Sequence, residues 1–193
     1  NEGKSTWVDI FTPNKGDSDI DDIFREYVEK IMVAIIKIIE EFKDEDDEIR
    51  ECFHDKFALI VPNEDFRRRL LILLEDRLNE KGLKSVRALE ASKRLSMTNN
   101  SSSGHGYVVV DIPNALNGLE RLFVVLVGMD ESLEGISEDD KLKKESEIYR
   151  SISRGMLWVS FINKHVGVNS WYSFLGFLKS ETETDGCANF FYL

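Results

Sequence analysis

The chain has 193 residues, 42% of them hydrophobic and 32% charged, which is enough to form one folded α/β domain with a complete core. Its formal net charge of −11 argues against binding nucleic acid through a broad basic face, but a narrow basic groove stays compatible with that sum. The sequence has no run of roughly 20 apolar residues that could form a membrane helix. It also has no secretory signal, and its cysteines, Cys52 and Cys187, do not have the spacing of metal ligands. These features favour an intracellular (cytoplasmic or nuclear) protein.

Hydrophobic patterns along the chain predict strands that alternate with helices. Apolar residues three and four positions apart are typical of helices that cover a sheet, and short continuous apolar runs are typical of strands buried on both faces. Residues 1–18 show neither pattern and are expected to be a connector or a trimmed edge. The predicted elements are a helix at 19–42, a strand at 57–61, a helix at 64–81, a short strand at 85–89, strands at 107–112 and 122–128, a helix at 145–155, a strand at 157–163, a helix at 168–178 and an edge strand at 190–193.

Two polar segments separate these elements. Residues 96–106 are rich in Ser, Asn and Gly and predict a mobile loop, and the acidic residues 130–144 predict a surface insertion. The alternation of strands and helices predicts the α/β class, a three-layer sandwich with a mainly parallel sheet and helices on both faces. We expect residues 19–193 to form this single domain.

Two arginines stand out at the end of the predicted helix at 145–155. Arg150 and Arg154 are four positions apart, which would place both side chains on one side of that helix, and an apolar strand follows at once. Arginines on a rigid helix suit phosphate chemistry, because a planar guanidinium binds phosphate oxygens two at a time. The alternative is that both are solvated or pair with Glu145 and Glu147.

Two further segments could contact a nucleotide. Gly118 permits a sharp turn between two predicted strands, and Glu120 at the rim could accept hydrogen bonds from a ribose hydroxyl. The segment from Pro62 to Arg69 carries three arginines, Arg67 to Arg69, near the start of a helix that follows a buried strand, where phosphates bind in open α/β sheets. The alternatives are a plain turn and an exposed basic helix face.

Taken in chain order, three segments resemble motifs of the C-terminal RecA-like motor domain of superfamily 1, UvrD-like helicases, which belong to the P-loop NTPases. Residues 58–70 resemble motif IV, residues 108–128 with Asn117-Gly118-Leu119-Glu120 resemble motif V, and residues 148–159 resemble motif VI. The sequence departs from the family at four positions: Asn117 replaces a lysine, Ser151 and Gly155 replace alanines, and Pro62 stands where an arginine is frequent.

The resemblance implies the second motor domain of a helicase-like ATPase. Arg154 would be the catalytic arginine finger that reaches the γ-phosphate, Glu120 would contact the ribose, and Gly118, Arg150 and Arg68 would complete the nucleotide-binding set. ATP and Mg²⁺ would be bound mainly by a preceding RecA-like domain, since the chain has no complete phosphate-binding loop and no Asp-Glu magnesium motif. The chain alone is therefore not expected to be active. Single-stranded nucleic acid is a candidate partner, and a membrane is not.

Two other functions stay open from the sequence. The altered motif positions and the acidic composition favour a non-catalytic, helicase-derived interaction or regulatory module. A flavodoxin-like or Rossmann-like binding domain is disfavoured, because no Gly-x-Gly-x-x-Gly follows any predicted strand. The half-ATPase interpretation requires Arg154 and Glu120 to emerge along one rim of a parallel sheet.

Overall fold

The computed structural model describes residues 7–12, 20–41, 56–96, 106–130 and 137–164. Strands alternate with helices along most of this part of the chain. The elements are β1 (Trp7–Phe11), α1 (Ile20–Glu41), β2 (Phe57–Ile60), α2 (Glu64–Glu80), β3 (Leu83–Val86), α3 (Ala88–Ser96), β4 (Gly106–Asp111), a 3₁₀ helix (Pro113–Leu116), β5 (Arg121–Val127), α4 (Glu138–Ile152) and β6 (Gly155–Lys164).

The strands form one parallel sheet in the order β1-β6-β5-β2-β4-β3. The central strand β2 is buried along its whole length, as its continuous apolar sequence predicts. Its register with β5 pairs Phe57 with Phe123, and its register with β4 pairs Ala58 with Val109. The sheet therefore has one edge at which all strands begin and an opposite edge at which they all end.

Helices cover both faces of the sheet. Leu59 and Val125 point to the core under α1 and α2, whereas Ile60 and Leu126 point to the core under α3, the 3₁₀ helix and α4. Each of these four side chains is fully buried, and burial of one such side chain stabilises the fold by roughly 1.5–3 kcal/mol. The predicted three-layer α/β class is confirmed, and the architecture is consistent with a RecA-like sandwich. No described helix is long and apolar enough to cross a membrane.

Most predicted elements are confirmed to within a few residues. The predicted helices at 19–42 and 64–81 correspond to α1 and α2, and the apolar runs correspond to β2, β4, β5 and β6. Asn63 caps α2 as expected, because its side-chain oxygen accepts a hydrogen bond of 2.8 Å from the backbone N–H of Phe66. The predicted helix at 168–178, the edge strand at 190–193 and residues 97–105 of the predicted loop lie outside the described residues.

Two local predictions are wrong, and one strand was not predicted. Residues 1–18, expected to be a connector or a trimmed edge, contain β1, which pairs with the second half of β6 at the edge of the sheet. The short strand lies at Leu83–Val86, and residues 88–96, to which the sequence assigned no helix, form α3. The expected insertion at 130–144 contains the start of α4 at Glu138, where the Ser137 hydroxyl accepts a hydrogen bond from the backbone N–H of Asp140 and three acidic residues favour the helix N-terminus.

Two glycines with nearly the same backbone conformation allow a matched test of packing. Gly128 and Gly82 have φ of 70° and 71°, but a Cβ on Gly128 would lie 2.4 Å from the Phe66 ring, whereas a Cβ on Gly82 would meet nothing within 4 Å. Gly82→Ala should cost about 1–2 kcal/mol of the free energy of unfolding, from the left-handed backbone alone. Gly128→Ala should cost about 1–3 kcal/mol more, because the Phe66 ring must move. Urea denaturation of both variants measures the difference, and equal losses would contradict the packing role of Gly128.

Candidate functional site

The parallel sheet separates the candidate residues into two groups. We call the edge at which the strands begin the amino edge, and the edge at which they end the carboxyl edge. Glu120 directly precedes β5 and Arg154 directly precedes β6, so both lie at the amino edge. Arg68 lies in the first turns of α2, directly after β2, and so at the carboxyl edge. The structure therefore brings together Glu120 and Arg154 but not Arg68.

Hydrogen bonds between strands hold the amino edge together at its centre. The backbone N–H of Arg121 donates to the carbonyl of Arg154 at 2.9 Å, and the backbone N–H of Phe123 donates to the carbonyl of Lys56 at 2.8 Å. These bonds join the starting ends of three neighbouring strands, β6, β5 and β2. Because the bonds belong to the sheet itself, Glu120 and Arg154 are carried on a rigid support.

The turn before β5 has the conformation that its glycine predicts. Gly118 has φ of 81°, a region that favours glycine, and a Cβ there would meet nothing within 4 Å. The backbone N–H of Leu119 donates to the carbonyl of Leu116 at 3.0 Å and closes the turn. Glu120 follows as an exposed residue. The turn thus leaves open space beside an accessible carboxylate.

The two arginines of interest do not share a helix, so the predicted placement of both on one helix face is wrong. Helix α4 ends at Ile152, and Arg154 lies in the turn beyond it, where its backbone N–H donates to the carbonyl of Ser151 at 3.2 Å. The Nε of Arg150 donates to the carbonyl of Ser146 at 3.3 Å. The helix stops early because β6 already starts at Gly155.

Both arginines keep part of their surface accessible. Arg150 and Arg154 are partly exposed, and no salt bridge to a carboxylate is formed by either within the described ranges. The alternative pairing with Glu145 or Glu147 is therefore not observed. A guanidinium in this state can accept an incoming anion without first breaking an ion pair.

A β-bulge lies directly after Arg154. Arg121 pairs with Gly155 but Phe123 pairs with Trp158, so β6 contains one extra residue in this interval. The bulge leaves Met156 and Leu157 exposed, at 64% and 52%. A Cβ on Gly155 would lie 2.5 Å from a methyl group of Val159, which gives a physical reason for glycine where the helicase family has alanine. Bulges of this kind redirect neighbouring side chains.

The charges at the amino edge differ from those of the whole chain. The formal net charge is −11, yet the accessible charged residues at the starts of β2, β5 and β6 include Lys56, Arg150 and Arg154 beside Glu120. Such a local excess of positive charge is the narrow basic surface that the composition left possible.

The carboxyl edge, by contrast, uses its polar groups internally. Arg67 is buried, and its Nε donates to the carbonyl of Val110 at 2.7 Å. The carboxylate of Asp111 accepts the backbone N–H of Ala88 at 3.0 Å and so caps α3. At the end of β6, the side-chain oxygen of Asn163 accepts the backbone N–H of Met129 at 2.9 Å. These contacts join strand ends to the helices and loops that follow them.

An aromatic cluster occupies the part of the carboxyl edge where ligands often bind. The connections from β2 and β5 leave in opposite directions, which makes the space between their ends a topological switch point. The Phe66 ring lies over Gly128 there, with ring centroids 4.8 Å from Phe24 and 5.2 Å from Tyr27. Exposed Arg68 pairs with Asp65 at 3.0 Å. Its predicted phosphate contact would therefore need a separate site from that of Arg154.

A buried tyrosine–aspartate pair connects α1 to this edge. The Tyr27 hydroxyl donates to the carboxylate of Asp130, which also accepts the backbone N–H of Lys164 at 2.5 Å. Burial raises the pKa of Asp130 above its usual value, while the hydrogen bond from Tyr27 and the Lys164 N–H oppose that shift. Burial also raises the pKa of Tyr27, and the negative charge of Asp130 raises it further. Sequence reasoning missed this pair. The signal that marks Asp130 is a carboxylate in the loop that follows the apolar strand β5.

No protein-family model matches the sequence, and no curated protein matches it significantly. Among solved structures, the chain is similar to the C-terminal domain of a possible DNA helicase from Lactobacillus plantarum WCFS1, with 16% sequence identity and a TM-score of 0.48. The match covers 84% of this chain and 75% of that chain. Because the TM-score is below 0.5, this likeness does not indicate a function for the chain.

Replacement of Asp130 should change the pH dependence of stability. The folded-state pKa is raised, so between the unfolded value of about 3.9 and the folded value the native state binds more protons, and stability falls as pH rises. Asp130→Asn cannot titrate. Its free energy of unfolding relative to the wild type should therefore increase from about pH 4 upward and level off above the folded pKa of Asp130. Urea denaturation at a series of pH values measures this difference, and a constant difference would contradict the raised pKa.

Replacement of Tyr27 should have the opposite effect. Tyr27→Phe removes a hydrogen bond that lowers the pKa of Asp130, so that pKa should rise further and stability should fall over a wider pH range. Above that pH range, Tyr27→Phe should lower the free energy of unfolding by about 1.5–3 kcal/mol, as expected for the loss of a hydrogen bond to a charged group. The same urea series tests it. An unchanged pH profile in Tyr27→Phe would show that the hydroxyl does not control Asp130.

Proposed function

We propose that this domain is the second motor domain of a helicase-like, nucleic-acid-dependent P-loop ATPase. In this role it supplies an arginine finger and a ribose contact to ATP held by a preceding RecA-like domain. The observation that carries the proposal is the hydrogen bond from the Arg121 N–H to the Arg154 carbonyl, at 2.9 Å. That bond joins the two segments that resemble helicase motifs V and VI at one edge of the sheet.

The accessible groups at the amino edge fit the two ends of a nucleotide. Arg154 has no carboxylate partner within the described ranges and can direct its positive charge at a phosphate. Exposed Glu120 can accept hydrogen bonds from a ribose hydroxyl, and Gly118 leaves room for the ligand to approach. Arg150, in the last turn of α4, would be a second phosphate contact.

The chemistry that these groups would serve is phosphoryl transfer. Negative charge on the transferring phosphoryl group must be stabilised in the transition state, and a fixed guanidinium does so without reorganisation. The phosphate cradle and Mg²⁺ would come from the preceding domain, which is the reason that the isolated chain is expected to be inactive. The chain's own contribution is therefore to complete a site at a domain interface.

One observation favours a second function, a non-catalytic interaction module. Met156 and Leu157 are large apolar residues that are more than half exposed at the same edge, and exposed apolar side chains are common in protein interfaces. On this reading the amino edge contacts another protein without taking part in chemistry. A longer protein that contains the preceding domain and still fails to hydrolyse ATP would favour this function over the motor.

Arg154→Ala should abolish most ATP turnover in a protein that contains the preceding domain. Loss of an arginine finger lowers kcat by about three to five orders of magnitude. Because Arg154 lies in a turn outside the core, its replacement should leave the thermal unfolding temperature almost unchanged. Steady-state hydrolysis of Mg-ATP with single-stranded DNA present measures kcat, and an unchanged kcat would eliminate the finger role.

Arg68→Ala is the matched control for this test. It also removes one arginine from a predicted nucleotide contact, but from the carboxyl edge, where the side chain is exposed and paired with Asp65. If one site at the amino edge binds ATP, its kcat and KM should stay within about twofold of the wild type. A loss comparable to that of Arg154→Ala would mean that the nucleotide site includes the carboxyl edge.

A further inference from the structure

We infer that Arg121, to which the helicase resemblance assigns no role, is a positioning residue that orients Glu120 for nucleotide binding. This inference rests on the proposed function, since it concerns the ribose contact assigned to Glu120. Arg121 is the first residue of β5 and directly follows Glu120. It is only 4% exposed, so its guanidinium acts within the fold and does not itself reach a ligand in solution.

Two hydrogen bonds connect Arg121 to both candidate ligand-binding residues. Its side-chain Nη1 donates to the carbonyl of Glu120 at 2.9 Å, and its backbone N–H donates to the carbonyl of Arg154 at 2.9 Å. The first bond restrains the peptide group that follows Glu120 and so restricts the directions open to the Glu120 side chain. The second restrains the start of β6.

These bonds depend on Arg121 in different ways. The bond to Arg154 uses the backbone, so it survives a change of side chain. The bond to Glu120 uses the guanidinium, so it is lost when the side chain is changed to an apolar one. Replacement of Arg121 should therefore disturb the ribose contact and spare the arginine finger, which separates an effect on KM from an effect on kcat.

The burial of Arg121 supports a specific role. A buried cation loses hydration energy, and a hydrophobic residue of similar volume at such a position is often neutral or stabilising. Local restraint of Glu120 gives a reason for arginine at this strand start, directly before the apolar run of β5. The adjacent turn, in which Gly118 has a left-handed backbone, would otherwise leave Glu120 with more freedom.

The test compares Arg121→Met, Arg121→Lys and Glu120→Ala in the protein that contains the preceding domain, with Mg-ATP, 2′-deoxy-ATP and 3′-deoxy-ATP as substrates. Arg121→Met should raise KM for ATP about tenfold, as for loss of a hydrogen-bonded contact, with kcat within about twofold. The increase should be much smaller for the deoxynucleotide that lacks the hydroxyl bound by Glu120. Arg121→Lys keeps a charged donor and should restore most of the affinity for ATP.

A double-mutant cycle then shows whether Arg121 acts through Glu120. The KM of Arg121→Met combined with Glu120→Ala should be no higher than that of Glu120→Ala alone, because Glu120→Ala removes the hydrogen-bond acceptor that Arg121→Met leaves poorly oriented. A purely structural role predicts a lower unfolding temperature with an unchanged ratio of KM for ATP to KM for the deoxynucleotides. If Arg121→Met does not fold, Arg121→Leu, which also removes the donor, carries the same comparison.

The outcomes separate this inference from the proposed function. If Arg154→Ala and Glu120→Ala impair ATP hydrolysis but the Arg121 variants bind all three nucleotides normally, the inference is wrong and the proposed function stands. If Arg154→Ala and Glu120→Ala have no effect, or the wild type does not hydrolyse ATP, both are overturned. A rise in KM that is equal for ATP and both deoxynucleotides would also overturn the inference.

Discussion

The register between β5 and β6 is the constraint on which the candidate site depends. Arg121 lies opposite Gly155, and the hydrogen bond from its N–H to the Arg154 carbonyl brings two distant chain segments to one edge. Side chains alternate between the two faces of a strand, so a shift of β5 by one residue would exchange the side chains of the core under α1 and α2 with those of the core under α3 and α4. The core residues of β5 thus secure the register, and the register in turn secures the positions of Glu120 and Arg154.

The two edges of the sheet have different chemical characters, for reasons that lie in their side chains. At the carboxyl edge, buried Arg67, Asp111 and Asn163 bond to backbone groups, and the Phe66 ring lies over Gly128. At the amino edge, Glu120, Arg150 and Arg154 are accessible, whereas Arg121 is buried. Ligands of open α/β sheets usually bind at the carboxyl ends of strands, so a site at the amino edge fits a domain that completes a site held by a neighbour.

Much of the fold was predictable because local patterns agree with tertiary burial. The stripe of apolar residues in α1 and the continuous apolar run in β2 each match the core that they occupy. Helix α4 was mispredicted at its start because only Ile148 and Ser151 along it are buried, which leaves almost no stripe to detect. Strand β1 was missed because five residues are too few to show a period, and its pairing partner β6 lies far along the chain.

For the site, the sequence alone determined which candidate residues share an edge of the sheet. In a parallel sheet a residue that precedes a strand and one that follows a strand lie at opposite edges, so chain order already separated Arg68 from Glu120 and Arg154. Only the tertiary structure decided the bulge after Arg154, the bonds of Arg121 and the pairing of Tyr27 with Asp130. Each of these depends on which residues of separate segments come into register, and that is set by packing of the whole sheet, not by any local pattern.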